Sequence, residues 1–159
     1  MLARLLRPDH GGIDVQSVLR ALAQDHARDP ARWQAVQQNW YAEQQALWSA
    51  MAQAHDGGDN ATDIDDRRFR AAEWRLPYFN WLARSYLTTA KCLMTLAEGA
   101  HLDAHEKKRA RFLIRQWAHA ASPANAGWSN PEAMHLAAET HGASVAQGIA
   151  NLQIGRAHV

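Results

Sequence analysis

The sequence predicts an all-α fold, an irregular domain of about five to six helices, on three observations. Among 159 residues, 32 alanines stand against 15 β-branched residues, five each of Val, Ile and Thr, and alanine favours helix where branching at Cβ favours strand. Apolar residues recur at helical spacing in successive stretches. Asp29-Pro30, Asn130-Pro131 and the pair Asp103/Glu106 stand where helix N-termini need caps.

The first helix is expected over 13–27, "IDVQSVLRALAQDHA", with Val15, Val18, Leu19 and Leu22 at helical spacing. Asp29 as cap and Pro30 as first helical residue open a second helix that runs to about Ala54. In it Trp33, Trp40 and Leu47 repeat every seven residues, Val36 and Met51 share their side, and Tyr41 and Trp48 lie beside them. The plain reading of this stripe is a core face. The functional reading is a helix that lies on a partner or an amphiphilic surface through Trp33, Trp40, Tyr41 and Trp48. Glutamines fill much of the other side, so the cationic face of a typical membrane-binding helix is absent.

Paired glycines and clustered Asp and Asn in "HDGGDNATDIDD" mark 55–66 as an exposed linker between the helices of 1–54 and a helical core over 67–153. The next stretch, "DRRFRAAEWRLPYFNW", threads arginines among irregularly spaced aromatics. Arginine stacks on such rings while pairing with carboxylates, so Asp66, Arg67, Arg68, Phe69, Trp74, Tyr78 and Phe79 are expected to tie the linker to the helical body. A third helix follows from about Pro77 to Ala100, with Phe79, Leu82, Tyr86, Leu93 and Leu96 on one face. A capping box of Asp103 and Glu106 starts a fourth over 103–121, expected to bury Phe112, Leu113 and Trp117, the last as a further structural anchor. "SPANAGWSNP" breaks the chain before Asn130 and Pro131 start a fifth helix to about Thr140.

Candidate chemistry is sparse. Lys and Arg number 17 against 16 Asp and Glu, a formal charge of +1, so nucleic acid is not the default partner. The run Lys107, Lys108, Arg109, Arg111, Arg115 reads as a solvated helix face, without stacking aromatics on the same side. His105-Glu106 begins like a zinc-protease helix, but Arg109 stands where the second His is needed. No metal or other cofactor is expected. Neither a nucleophile elbow nor a phosphate-binding glycine loop occurs, so no catalytic residue is assigned. Cys92, the single cysteine, sits in an apolar run and reads as a small buried hydrophobe. The opening "MLARLLRPDHGG" does not resemble a secretory signal, and no apolar run approaches membrane-spanning length, which leads to a cytoplasmic expectation.

Asp66-Arg67-Arg68-Phe69, Trp74, Pro77-Tyr78-Phe79 and Ser85-Tyr86-Leu87 resemble the N-terminal domain of class I polyhydroxyalkanoate synthases, the poly(3-hydroxybutyrate) polymerases. Arg109, Arg111-Phe112, Gln116-Trp117, Ser122-Pro123-Ala124-Asn125, Asn130-Pro131-Glu132 and Glu139-Thr140 with Gly142 continue the resemblance in order. It extends from about Trp33 to Leu152.

The resemblance implies a parent acyltransferase that polymerises 3-hydroxyacyl groups from coenzyme A thioesters, with Cys, His and Asp in a following α/β-hydrolase domain. The helical domain would then be incomplete by itself and inactive, since Cys92 falls in a helix where the family often has a bulky apolar residue. Its implied partners are its own catalytic domain, a second copy, and the polyester granule or granule-coating proteins, with no nucleic acid and no transmembrane segment. Two departures stand out. Ala126 occupies a position usually held by Phe, with Trp128 as the side chain that could fill that volume. Ile154 to Val159 resemble translated sequencing-adapter read-through and are left out of the fold expectation. The alternatives are a stand-alone granule-associated module and, from another class, a nucleic-acid-binding module using Lys107 to Arg115.

Overall fold

The computed structural model describes residues 14–54, 64–141, 143–145 and 147. Most of the expected linker, 55–63, and the tail 154–159 lie outside the described residues. Among the described residues lie five bounded α-helices, three short 3-10 turns, further helical residues at 143–145 and 147, and no strand.

Each helix begins on a residue suited to the task. The Asp14 carboxylate accepts from the Gln16 and Ser17 amides at 3.0 and 3.2 Å and opens α1, Val15–Arg28. Asp29 closes α1 by donating its backbone N–H to the Asp25 carbonyl. It also starts α2, Pro30–Ala54, where its carboxylate accepts from the Arg32 amide at 3.1 Å. After two 3-10 turns, Arg67–Phe69 and Ala72–Arg75, Pro77 leads α3, Pro77–Gly99. The capping box of Asp103 and Glu106 forms in both directions and opens α4, Ala104–Ala120. A third turn, Pro123–Asn125, precedes α5, Pro131–Glu139, whose Asn130 cap accepts from the Glu132 and Ala133 amides.

The central helix is α3, with α2 along one side and α4 on another; α1 touches both α2 and α4. Two apolar clusters result. In one, Phe69, Trp74, Ala83 and Tyr86 pack with Ile64, Phe79, Leu87 and Ala118. In the other, Val18 of α1, Ala97 of α3 and Ala110 of α4 meet, flanked by Leu22, Leu113 and Ile114. Ala83 and Ala110 are fully buried and Ala97 is 1% exposed; side chains this small let helix backbones approach closely. The alanine-rich composition is thus used at the contacts themselves.

Three aromatic expectations on the C-terminal side are corrected. Phe112 and Trp117 are 45% and 40% exposed: Phe112 lies on the side of α4 opposite Ala110, Leu113, Ile114 and Ala118, whereas Trp117 shares their side but sits a turn beyond Leu113 and Ile114 and is left open. Trp117 is therefore no buried anchor. Trp128 is 85% exposed and fills no core volume in place of the side chain Ala126 lacks.

Candidate functional site

The stretch that opens on Asp66 is built as a tie. Arg68 meets Asp66 in a fork, Nε to Oδ1 at 3.0 Å and Nη2 to Oδ2 at 2.8 Å, and Nη1 donates to the Tyr86 hydroxyl at 2.9 Å. Its guanidinium lies 5.4 Å from the Phe69 ring centroid and 5.2 Å from that of Tyr86. Tyr86 in turn donates to the Ala118 carbonyl of α4. Hydrogen bonding to Arg68 holds the Asp66 carboxyl below its usual range against the opposing effect of burial. Trp74, 1% exposed, packs edge-on to Phe69 and donates from Nε1 to Glu132 of α5 at 3.1 Å. One arginine and two aromatics thus connect the turns to α3, α4 and α5. Arg67 and Tyr78 lie at the surface, Tyr78 at 55% exposure.

A second polar centre is absent from the sequence expectations. Asp25 of α1 is 1% exposed and accepts from Arg32, from Trp33 Nε1 at 2.8 Å, and from the His101 backbone amide at 2.7 Å, with His101 Nδ1 at 3.1 Å. Burial pushes this carboxyl up. The His101 amide, the Trp33 indole, the His101 ring and the Arg32 charge outweigh burial and hold it at about 2. Gly99 makes room for the arginine, since a Cβ there would lie 2.7 Å from Arg32 Nη1. The signal in the sequence was a carboxylate in step with Val18, Ala21 and Leu22 on the apolar side of α1.

The aromatic stripe of α2 divides in two. Trp33 and Trp40 are half-buried and satisfied internally, Trp33 on Asp25 and Trp40 Nε1 on Thr89 Oγ1 at 3.1 Å. Gln44 joins them, accepting from Ser85 Oγ at 2.7 Å. Tyr41 and Trp48 remain 54% and 56% exposed. Trp48 meets Trp81 edge-on at 5.5 Å, and Trp81 lies 5.8 Å from Tyr78, so an aromatic row runs across the outside of α2 and α3 with Leu76, 53% exposed, on the same stretch as Tyr78.

Cys92 lines an open cleft of about 260 Å³ between α2 and α3, together with Val36, Trp40, Glu43, Thr88 and Lys91. Burial, and then the nearby Glu43 charge, push its thiol up, the opposite of what an activated nucleophile needs. Among the described residues no three His, Cys, Asp or Glu side chains gather as a metal site requires. No helix among them is long and apolar enough to cross a membrane.

Residues 65–155 match the family model described as the poly-beta-hydroxybutyrate polymerase (PhaC) N-terminus. The chain is 41% identical over 126 residues to the poly(3-hydroxyalkanoate) polymerase subunit PhaC of Cupriavidus necator, covering 77% of this chain and 21% of that protein. It is 28% identical over 152 residues to the poly(3-hydroxyalkanoate) polymerase of Methylorubrum extorquens, covering 90% and 25%. With the corresponding subunit of Rhizobium meliloti it shares 28% over 144 residues, covering 86% and 23%. The chain therefore spans about a fifth to a quarter of the length of the curated relatives it matches. No solved structure matches it significantly.

Proposed function

The chain belongs to the family of poly-β-hydroxybutyrate polymerase N-terminal regions, and from that premise we propose that it serves as the non-catalytic helical part of a polyhydroxyalkanoate synthase. In this reading the acyl transfer from 3-hydroxyacyl coenzyme A belongs to a following α/β-hydrolase domain. The helical part assists dimerisation and holds the enzyme, in the cytoplasm, at the polyester granule or its coating proteins.

The observation that carries the reading is the division of labour among aromatics. Phe69, Trp74 and Tyr86 are spent on the interior, whereas Tyr41, Trp48 and Tyr78 stay outside in a half-wet row with Trp81. Indole and phenol rings suit a boundary between water and a moderately apolar ester surface, because each keeps a polar group for the wet side. Trp33 and Trp40 are held internally by their hydrogen bonds to Asp25 and Thr89, and Trp40 backs Tyr41 edge-on at 4.9 Å. The raised Cys92 thiol supports assigning the chemistry elsewhere. On α5, Met134 and Leu136 are 45% and 51% exposed, apolar area suited to contact with a neighbouring domain.

The test is localisation in polymer-making cells. A fluorescent protein fused to this chain should label the granules, and the Trp48→Ser/Tyr78→Ser variant should become diffuse. Wholly diffuse signal from the unaltered fusion, with granules present, contradicts the granule assignment.

A further inference from the structure

The outer face of α4 carries a charge imbalance that the whole chain does not. Lys107, Lys108, Arg109, Arg111 and Arg115 stand on this helix against a single carboxylate, Glu106, in a chain of formal charge +1. Lys108, Phe112, Arg115 and His119 follow one another at steps of four, three and four, with Arg111 between, so they share one side. Glu106 is engaged in the capping box.

Some of these cations have internal work. Arg109 donates to Ser17 Oγ at 2.9 Å, and Lys107 to the Glu98 carbonyl at 3.0 Å. Arg111 Nε lies 3.1 Å from the Glu98 carboxylate, an ion pair that leaves most of its guanidinium free. Lys108 and Arg115 are exposed and have no ion-pair partner among the described residues. Lys108 and Arg111, and Arg111 and Arg115, stand three and four apart, where like charges repel, and an anionic partner would relieve them. Between them Phe112 is 45% exposed.

We propose that this face of α4 binds a single-stranded polynucleotide, with phosphates on Lys108, Arg111 and Arg115 and a base against the Phe112 ring. The sequence alone argued against such a partner on its near-balanced charge and on the want of a stacking aromatic beside these cations; the exposed Phe112 supplies the stacking surface. Lys108 to Arg115 spans roughly 10 Å of helix axis, and Lys108, Arg111 and Arg115 flank Phe112 along it, so a strand laid on this face can meet a cation on each side of a base against the ring. A lipid surface suits the face poorly. Interfacial helices insert a broad apolar stripe, and here Leu113 and Ile114 turn inward, leaving a single ring. An acidic protein would gain only exposed ion pairs, which are individually weak. The inference rests on α4 and is independent of the polymerase reading.

The whole chain is titrated against a fluorescent oligo-dT of about 20 nucleotides near 50 mM salt, then at rising salt, and anisotropy is read. Binding should saturate and weaken with a log–log salt slope of roughly −2, the value for three phosphates on a single strand. Lys108→Glu/Arg115→Glu should weaken it at least tenfold while far-UV circular dichroism and melting stay unchanged. Phe112→Ala should weaken oligo-dT at least about fivefold and leave heparin, which has no bases, unaffected. No binding near 50 mM salt, or binding indifferent to the charge reversal, overturns the proposal. So does equal loss of heparin and oligo-dT in Phe112→Ala, no loss of either, or tighter binding to polyglutamate or anionic vesicles than to oligo-dT.

Discussion

Arg68 holds Tyr86 twice, by a hydrogen bond of 2.9 Å from Nη1 to the hydroxyl and by lying 5.2 Å over its ring. The same guanidinium grips Asp66 through two further nitrogens. Tyr86→Phe should remove both the acceptor for Arg68 and the donor to the Ala118 carbonyl, costing about 1–3 kcal/mol in urea unfolding. Arg68→Lys should not restore Arg68→Ala, because an ammonium cannot reproduce the fork and the stacking. Full rescue by lysine would show that charge alone matters there.

Trp74 and Trp117 should respond oppositely to truncation. Trp74→Ala empties a site that is 1% exposed and should cost about 3–5 kcal/mol, a large share of a domain's stability. Trp117→Ala, at a site 40% exposed, should change the urea midpoint little. Comparable losses at the two positions would mean that Trp117 is an anchor after all.

The contrast shows what was legible in the sequence. Helix starts were readable because caps are local: Asp29 with Pro30, Asp103 with Glu106, and Asn130 with Pro131 all stand where helices begin. Which side of a helix is covered is not local. Phe112 fits an apolar pattern as well as Leu113 does, and only the positions of α1 and α3 select Ala110 and Leu113 instead; Trp117, on the covered side, stays 40% exposed. The centre at Asp25 was invisible for the same reason, since it joins residues 76 positions apart. The exposed pair in the α2 stripe, Tyr41 and Trp48, likewise could not be told from Trp33 and Trp40 until α1 and α3 supplied partners for the latter.

Asp25 gives stability an acid limb. Its folded-state value, about 2, lies below the ordinary 3.8. Its contribution is therefore complete above 3.8 and is lost as pH falls through about 2. Asp66 is shifted in the same direction. Urea midpoints should stay level from neutral pH to about 5 and fall steeply below about 4. Asp25→Asn should start lower at neutral pH, with Arg32 facing a neutral partner, and lose part of the acid slope. A slope identical to that of the unaltered chain would exclude Asp25 as its source.

Cys92 should react slowly. Burial and Glu43 both disfavour the thiolate, so a chromogenic disulfide at pH 8 should modify native protein well below the rate for urea-unfolded protein. Glu43→Gln should speed the native reaction modestly. Equal native and unfolded rates would place the thiol in open solvent.

The chain's own reactivity toward a thioester substrate is the most direct measurement. Purified chain is mixed with 3-hydroxybutyryl coenzyme A, and free thiol is followed continuously. The predicted result is release at the buffer rate, unchanged by Cys92→Ala. Sustained release above that rate, abolished by Cys92→Ala, would contradict the claim that this helical region accompanies polymerisation without performing it.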